Sequence, residues 1–488
     1  MKLDPEACYR AVIARDRRFD GRFFTAVTTT GIYCRPICPA RTPLLRNVRF
    51  FSCPAAAEES GFRPCIRCHP ESSPGTPAWS GTAATVSRAL RLIAEGALDR
   101  GGVDDLATRM GVGSRHLRRL FREHLGASPN AIAVTRRVHL ARTLIEQTPL
   151  PLADVAFCAG FASTRRFNAA FRASFGRAPG EFRRCAPGVH RATLTVKLAY
   201  RPPFDWDAMI RFLGARAIPG VEMVAAGHYR RTVAAGEIAG VIDVSPVAGE
   251  PNLLVSIPWE LARNVDPILE GVRRLFDLRA DPEAIASHLA RDPMMAPRLS
   301  AHPGLRVPGA WSGFELAVRA ILGQQVSVKG ATTLAGRLVS AFGRPIPSVV
   351  EEPGMLFPLP EDLRAAPIET IGLPGKRAGA IRELAAAVSD GRLDFGKGAE
   401  LDDIIAQLLA LPGIGPWTAH YIAMRAFGEP DAFPSGDLVL RREAAFGGTA
   451  LSERELLVRG ELWSPWRAYA TMYLWAGNGA DHEQEEHE

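Results

Sequence analysis

The sequence predicts a multidomain protein that is mainly α-helical with α+β parts, and three observations carry this prediction. Two cysteine pairs within the first seventy residues predict a small metal-bound domain. An arginine-rich helical stretch contains a repeated segment, and a Gly- and Pro-rich turn joins two helices in the carboxy-terminal third. At 488 residues the chain is too long for a single core, so several domains are expected.

Composition excludes some classes of protein. No apolar run approaches the length of a membrane span, and the first residues lack the pattern of a signal peptide. Half of the eight cysteines fall in a metal-binding pattern, which favours a reducing compartment over a disulfide framework. We therefore expect a cytoplasmic protein without membrane contact.

The first element is a pair of cysteine motifs, Cys34 and Cys38 in CRPIC and Cys65 and Cys68 in CIRC. This spacing predicts one tetrahedral Zn2+ site made of four thiolates. By spacing alone, the zinc could be purely structural. A second possibility is chemical, because a thiolate held on zinc is a nucleophile at neutral pH.

The residues around these cysteines, TTTGIYCRPICPAR, NVRFF and GFRPCIRCHP, resemble the amino-terminal domain of Ada-type adaptive-response proteins. The resemblance runs from about Phe19 to Pro70. It implies one Zn2+ and irreversible transfer of a methyl group from a DNA methylphosphotriester to Cys34, which would raise the affinity for DNA. It also implies contacts with the DNA phosphate backbone for four residues, Thr30, Arg41, Arg63 and Arg67. The alternative is that these arginines are ordinary solvated surface residues.

The second element is basic and repeated. Residues 85–185 hold 17 Arg, no Lys and 8 acidic residues, a net charge of +9 in a chain of net charge +7. FREHLGASP (Phe121–Pro129) recurs as FRASFGRAP (Phe171–Pro179), and each copy follows a short helix, a turn and a second helix. Two helix-turn-helix units are predicted. The block resembles AraC-family regulators, and the candidate groove-facing residues are Ser114, Arg115, Arg118, Arg119, Ser163, Thr164, Arg165 and Arg166.

The third element, from about Arg191 to Leu289, alternates apolar and polar residues and predicts a small sheet with helices on one face. No catalytic constellation stands out in it. The fourth element is helical from Asp292 onward and contains LPGIGPWTAHYIAMRAF. Gly413 and Gly415 in that segment predict a hairpin turn whose backbone amides approach a phosphate.

AFPSGDLVLRR follows about twenty residues later and places Asp437 at a predicted helix start. Together with AILGQQVSVKGATTLAGRL and WSPWRAYATMYLW, these motifs resemble AlkA-type alkylpurine DNA glycosylases of the helix-hairpin-helix superfamily. The resemblance covers about residues 193–479. It implies Asp437 as the catalytic carboxylate; the alternative is a plain helix N-cap. It also implies a base pocket of three aromatics, each of which could equally be core, namely Trp417, Tyr421 and Trp475.

Departures from the family pattern matter as well. Gln325, a candidate DNA contact, stands where an apolar wedge is expected, and Leu438 replaces an aromatic residue. Trp417 stands where strand-nicking relatives carry lysine, which implies a monofunctional enzyme. No cysteine follows Cys185, so we expect no iron–sulfur cluster.

We therefore predict five segments, given at the end of this paragraph. The predicted protein repairs alkylated DNA and regulates transcription. We expect a nucleoid-associated bacterial monomer that binds double-stranded DNA at lesions and at promoters. RNA polymerase is its expected protein partner. The alternative is a regulator with structural zinc and an inactive glycosylase fold. The segments are an Ada-type zinc domain (1–74), an AraC-type double helix-turn-helix (83–185), an AlkA-like α+β subdomain (191–290), a helix-hairpin-helix glycosylase domain (291–479) and an acidic tail (480–488).

Overall fold

The computed structural model describes residues 4–74, 84–183, 193–347, 349, 353–396, 399–445 and 449–477. Within these ranges helices dominate and three small sheets accompany them, so the predicted mainly α architecture with α+β parts is confirmed. No helix in the described ranges has the length and apolar character that a membrane crossing requires. The predicted acidic tail and Cys185 lie outside the described residues.

The amino-terminal region is a four-stranded sheet of order β3-β1-β2-β4, with two short helices. Strand β2 (Ile32–Cys34) pairs antiparallel with β1 (Phe24–Val27) on one side and parallel with β4 (Arg63–Pro64) on the other. Strand β1 also pairs with β3 (Val48–Phe51). The parallel pairing brings the two cysteine motifs together, because each motif begins where one of these strands ends. The elements are α1 (Pro5–Ala14), β1 (Phe24–Val27), β2 (Ile32–Cys34), β3 (Val48–Phe51), α2 (Pro54–Glu59) and β4 (Arg63–Pro64).

The basic block folds into seven helices. Leu117, Phe121 and Leu125 recur every four residues on one of them and are buried, which is the pattern of an amphipathic helix. The two predicted helix-turn-helix units are present as the pairs α5–α6 and α8–α9, joined by the long helix α7. The helices are α3 (Ala84–Ala94), α4 (Ala97–Arg100), α5 (Val103–Arg109), α6 (Ser114–Leu125), α7 (Pro129–Gln147), α8 (Leu152–Cys158) and α9 (Thr164–Phe175).

The third region is a five-stranded antiparallel sheet of order β5-β9-β8-β7-β6 with three helices. Leu194, Val196 and Leu198 alternate into the core along the first strand, as the sequence pattern predicts. The elements are β5 (Thr193–Ala199), α10 (Trp206–Ala215), β6 (Glu222–Ala225), β7 (His228–Ala235), β8 (Ile238–Pro246), β9 (Asn252–Pro258), α11 (Val265–Leu275) and α12 (Pro282–Leu289).

The last region is a helical layer around the Gly-rich turn between α18 and α19. Its elements are α13 (Met295–Ala301), α14 (Gly313–Leu322), α15 (Val328–Phe342), β10 (Arg344–Pro345), β11 (Met355–Leu356), α16 (Pro360–Leu363), α17 (Gly375–Ser389), α18 (Leu401–Leu409), α19 (Pro416–Arg425), α20 (Leu438–Glu443), α21 (Glu453–Gly460) and α22 (Arg467–Gly477). Short 3-10 helices lie at Arg17–Phe19, Leu45–Asn47, Pro70–Ser72, Pro179–Phe182, Trp259–Asn264 and Ile368–Ile371.

The apolar cores do not follow the order of the chain. One core joins Phe24 of the zinc region to Phe121 of the first helix-turn-helix unit. Another joins Phe171 of the second unit to Val196 in the five-stranded sheet, and a third fills the helical layer. Burial of apolar surface therefore ties each helix-turn-helix unit to a different neighbour.

Charged contacts also connect the two halves of the chain. The Arg136 guanidinium on α7 lies 2.6 Å from Asp266 on α11, and Glu95 lies 3.2 Å from Arg274. In the zinc region, the carbonyl of Asp20 accepts a 3.1 Å hydrogen bond from the buried Arg201 Nε.

Candidate functional site

The four motif cysteines converge. Their sulfur atoms all lie within 4.8 Å of one another, and tetrahedral Zn2+ with bonds of about 2.3 Å needs sulfurs about 3.8 Å apart. The backbone N–H groups of Arg35 and Arg67 donate to the sulfurs of Cys68 and Cys65, each at 3.4 Å. Such bonds stabilise thiolates, so the donor set fits a zinc ion.

The four motif cysteines differ in their exposure to solvent. Cys65 and Cys68 are buried, whereas Cys34 and Cys38 are partly exposed. Cys34 ends β2, and the Arg35 guanidinium is held by the Asp20 carboxylate with Nε–Oδ1 at 2.8 Å. Cys34 and Cys38 therefore keep some surface that another molecule can reach, whereas Cys65 and Cys68 do not. The cysteines Cys8, Cys53 and Cys158 are buried away from this set.

The four predicted phosphate contacts of this region are all exposed. They are Thr30, Arg41, Arg63 and Arg67, and none of the three arginines makes an ion pair with another described residue. Pro70 is buried in the 3-10 turn that follows the second cysteine motif. The neighbouring Glu71 carboxylate lies 3.0 Å from the Arg142 guanidinium on α7, which fixes the turn against the helices.

The second helix of each helix-turn-helix unit presents its predicted arginines to solvent. Arg115, Arg165 and Arg166 carry no ion pair with any described residue, while Arg118 lies 3.7 Å from Asp104. Arg119 is 3.4 Å from Glu123, one turn further along α6, and both side chains are exposed. Ser114 starts α6 and Ser163 caps α9 through its hydroxyl, which accepts from the Arg166 N–H, with Thr164 as the first helical residue.

Asp437 meets the predicted aromatics. Its Oδ2 accepts a 2.9 Å hydrogen bond from Trp417 Nε1, and its Oδ1 accepts one of 3.4 Å from Trp475 Nε1. Oδ1 also accepts from the Leu440 N–H at 3.0 Å and thereby caps α20. The two interpretations of Asp437 are compatible, because the same carboxylate caps the helix and accepts from two of the predicted aromatics.

The aromatic side chains form the wall beside this carboxylate. Trp417 and Tyr421 stack with ring centroids 5.2 Å apart and planes 8° from parallel. Trp475 lies 6.3 Å from Tyr421 at 51°. Trp417 and Trp475 are only partly buried, so flat aromatic surface remains accessible next to the carboxylate. Leu438, which follows Asp437 in the chain, is 50% exposed.

The hairpin turn has the predicted glycines. Gly413 has φ of +82°, and a Cβ built there would lie 2.6 Å from the Cβ of Ala380, so no larger residue fits without a shift. Gly415 caps α19, and both glycines are exposed. The turn immediately precedes Trp417 and so places its backbone N–H groups close to this aromatic residue.

Three arginines near the Tyr421 hydroxyl were not among the predicted site residues. This hydroxyl accepts a 2.6 Å hydrogen bond from Arg425 Nη1. Burial alone would raise the pKa of Tyr421, but the guanidinium groups of Arg425, Arg216 and Arg319 hold that pKa below its ordinary value. Arg425 lies one helical turn after Tyr421 and could have been noticed by spacing. The other two come from distant segments and carry no local pattern.

Four family models match the chain. They are the metal binding domain of Ada (residues 7–71), a helix-turn-helix domain (106–185), the AlkA N-terminal domain (195–312) and the HhH-GPD superfamily base excision DNA repair protein (318–468).

Relatives match either the whole chain or one half of it. A Mycobacterium tuberculosis protein, "Probable bifunctional transcriptional activator/DNA repair enzyme AlkA", is 44% identical and covers 97% of both chains. The Escherichia coli "DNA-3-methyladenine glycosylase 2" is 35% identical over 58% of this chain and 97% of its own length. The solved 3-methyladenine DNA-glycosylase from Archaeoglobus fulgidus covers 58% of this chain and 98% of its own, with 21% identity and a TM-score of 0.51, and so supports the fold of that half.

Proposed function

This chain belongs to the family of bifunctional transcriptional activator/DNA repair enzymes, and we propose that it excises alkylated purines such as 3-methyladenine at Asp437. Two of its matches are named as transcriptional activators that are also DNA repair enzymes, and a third is a 3-methyladenine glycosylase, so the chain combines repair of alkylation damage with transcription regulation. The observation that carries the catalytic proposal is the meeting of the Asp437 carboxylate with two indole N–H groups beside an open aromatic wall.

The pocket chemistry suits cationic bases. An alkylated purine such as 3-methyladenine already carries positive charge, so it stacks well on electron-rich rings and leaves without strong acid catalysis. As its N-glycosidic bond breaks, positive charge grows on the deoxyribose. The Asp437 carboxylate stabilises that charge and helps a water molecule attack the sugar carbon, which leaves a free base and an abasic site.

The test is base release from DNA treated with a methylating agent, with the freed bases separated and quantified by chromatography. The full chain should release 3-methyladenine, and Asp437→Asn should release at least about a hundredfold less. Asp403→Asn, which changes an exposed carboxylate on α18, is the matched control and should keep full activity. Absence of release by the wild-type chain would contradict the proposal.

For the amino-terminal region we propose stoichiometric methyl transfer to Cys34. The Cys34 sulfur attacks the methyl carbon of a phosphotriester, the carbon–oxygen bond breaks, and a phosphodiester anion leaves. A Zn2+ ion held by Cys34, Cys38, Cys65 and Cys68 would keep the attacking sulfur deprotonated. Partial exposure leaves Cys34 and Cys38 as candidate acceptors, and of these two the resemblance to Ada-type domains favours Cys34.

Mass spectrometry tests this step. After incubation with DNA containing methylphosphotriesters, the peptide that carries Cys34 should gain one methyl group per chain. Cys34→Ser should gain none, and Cys53→Ser, which changes a buried cysteine outside the zinc set, should behave as wild type. A methyl group found on another motif cysteine would contradict the assignment.

We further propose that the exposed arginines of α6 and α9 bind promoter DNA, that the protein acts as a monomer and that RNA polymerase is its partner in activation. The unpaired Arg115, Arg165 and Arg166 support the first part of this proposal. Promoter binding should weaken with salt, because most of these contacts reach phosphates. Light scattering of the purified protein, with and without promoter DNA, tests the monomer.

A further inference from the structure

Three largely buried guanidinium groups meet next to the aromatic wall without an ion-pair partner. They belong to Arg216 directly after α10, Arg319 on α14 and Arg425 on α19, and we call them the guanidinium cluster. Arg425 is 4% exposed and donates to the backbone carbonyls of Pro308 and Gly309 at 2.7 and 3.2 Å. Among the described residues, no carboxylate forms a salt bridge with any member of the cluster.

The other contacts of the cluster are uncharged as well. Arg216 and Arg425 both lie over the Phe212 ring, with guanidinium carbons 3.9 and 4.9 Å from its centroid. Arg319 donates to the carbonyl of Arg216 and, at 3.2 Å, to the hydroxyl of Thr332. Burial and the other two guanidinium groups lower the pKa of Arg216 from 12.5 to about 10, which is the direction expected where positive charge is not neutralised.

The carboxylates that face this region are engaged elsewhere. Glu222 on β6 and Glu315 on α14 act on Arg319 from a distance, but both form ion pairs with Arg231, at 3.5 and 2.9 Å. The Asp437 carboxylate is held by its two indole donors. These three negative charges oppose the ionisation of any further acid here, and the guanidinium cluster favours it.

The Tyr421 hydroxyl is the acidic group that the cluster does contact. It accepts the 2.6 Å hydrogen bond from Arg425, and the positive charges of Arg216 and Arg319 also act on it. Among the described residues, no carbonyl or carboxylate accepts the hydroxyl proton. A phenol that accepts from cations and has no partner for its own proton is stabilised by losing that proton.

We propose that Tyr421 meets the damaged base as a phenolate and that its negative charge makes the pocket favour positively charged bases. This inference rests on the proposed glycosylase function. The hydroxyl proton passes to water before the base binds. The phenolate then offsets one of the three positive charges of the guanidinium cluster, which would otherwise repel a cationic purine. A neutral base gains no such attraction, so Tyr421 is a specificity-determining residue.

The absorbance of the free protein tests the charge of Tyr421 without any substrate. Tyrosinate absorbs at longer wavelength than tyrosine, and an ordinary tyrosine with a pKa of about 10 is almost fully protonated at about pH 8. At that pH the wild-type chain should show a tyrosinate band that Tyr421→Phe lacks. Arg425→Met, once thermal unfolding shows that it is folded, should move this band to higher pH.

The band can be assigned because the other tyrosines respond differently. Tyr9→Phe is the matched control: it removes a hydroxyl that already donates to the Pro43 carbonyl at 2.9 Å, and it should keep the band. Burial raises the pKa of five further tyrosines, which therefore ionise later in a titration, namely Tyr33, Tyr200, Tyr229, Tyr469 and Tyr473.

Competition during base release tests the selectivity. The probes are the permanently charged 3,9-dimethyladeninium ion and the neutral 9-methyladenine, added to wild type and Tyr421→Phe with methylated DNA. At about pH 8 the cation should inhibit the wild type at least roughly tenfold more strongly than the neutral base, and the variant should lose most of this preference. The wild-type preference should also shrink as the pH falls, because the phenolate takes up its proton.

The outcomes separate this inference from the function on which it rests. No tyrosinate band that depends on Tyr421 would overturn the inference, and so would a preference for the cation that survives in Tyr421→Phe. Both results are compatible with base release by the wild type. A wild-type chain that released no base would overturn the glycosylase function and the selectivity with it, while the absorbance of the free protein would still report the charge of Tyr421.

Discussion

At the scale of single residues, the hydrogen bonds of Asp437 account for its position. Three N–H donors hold its carboxylate, one from the backbone of α20 and two from indole rings. Donors that are already in place orient the carboxylate, as the proposed reaction requires at the point where charge develops on the sugar. The hydrogen bond from Trp417 is the shortest of the three, and a conservative substitution of this side chain can remove it.

Trp417→Phe should therefore lower the rate of base release without abolishing substrate binding. Phenylalanine keeps an aromatic face for stacking on Tyr421 but lacks the N–H that donates to Asp437. Loss of a hydrogen bond to a charged group costs about 1.5–3 kcal/mol, which corresponds to a reduction in kcat of roughly ten- to a hundredfold. Single-turnover kinetics would check this, and a change confined to KM would contradict the positioning role.

Among the helices, α11 carries two buried acidic residues, Asp266 and Glu270, where the two halves of the chain meet. Glu270 is buried with Arg273 at 2.5 Å and Arg279 at 2.6 Å. Burial alone would raise the pKa of Glu270, but the neighbouring guanidinium groups of Arg279, Arg273 and Arg136 lower it from an ordinary 4.5 to about 2. The packing around α11 thus depends on a buried carboxylate that is ionised.

The pH dependence of stability follows from this shift. Because the folded pKa lies below the unfolded value, Glu270 contributes stability above about pH 4.5 that is lost as the pH falls toward 2. Glu270→Gln should lower the free energy of unfolding by about 3 kcal/mol at neutral pH, and this difference should shrink toward pH 3. Denaturant titration at several pH values measures it. The exposed Glu260→Gln is the control, and a loss independent of pH would contradict the argument.

Elements and sites differed in how well the sequence could predict them. Periodicity and capping residues predicted the two helix-turn-helix units, the strand Thr193–Ala199 and the helix start at Asp437, because these depend on local chemistry. The role of Asp437 and the identity of the methyl acceptor stay predictions. The arginines beneath Tyr421 could not be found, because Arg216 and Arg319 reach it only through tertiary packing.

At the scale of the whole molecule, the two halves share a buried polar boundary. Arg136 on α7 reaches Asp266 on α11 with both side chains largely buried. Burial raises the pKa of Asp266 from 3.8 to about 6 despite the attraction of Arg136. The folded protein therefore holds this proton more tightly than the unfolded chain, and ionisation of Asp266 costs stability as the pH rises through 6.

Arg136→Met should reveal this cost. Without the guanidinium, the buried Asp266 carboxylate is uncompensated, so stability should fall by about 3 kcal/mol at pH 8. The loss should be smaller near pH 5, where the carboxyl group takes up a proton. Thermal unfolding at both pH values checks this, and the double variant Arg136→Met/Asp266→Asn should recover most of the loss at pH 8. An equal loss at both pH values would indicate that the charge of Asp266 is irrelevant to it.

We propose that one chain carries two separate reactive sites, and a crossed assay of both activities tests this proposal. Base release and methyl transfer would both be measured on the wild type, Asp437→Asn and Cys34→Ala, after thermal unfolding shows that each variant is folded. We predict that Asp437→Asn loses only base release and that Cys34→Ala loses only methyl transfer. If either folded variant lost both activities, the claim of two independent sites would be wrong.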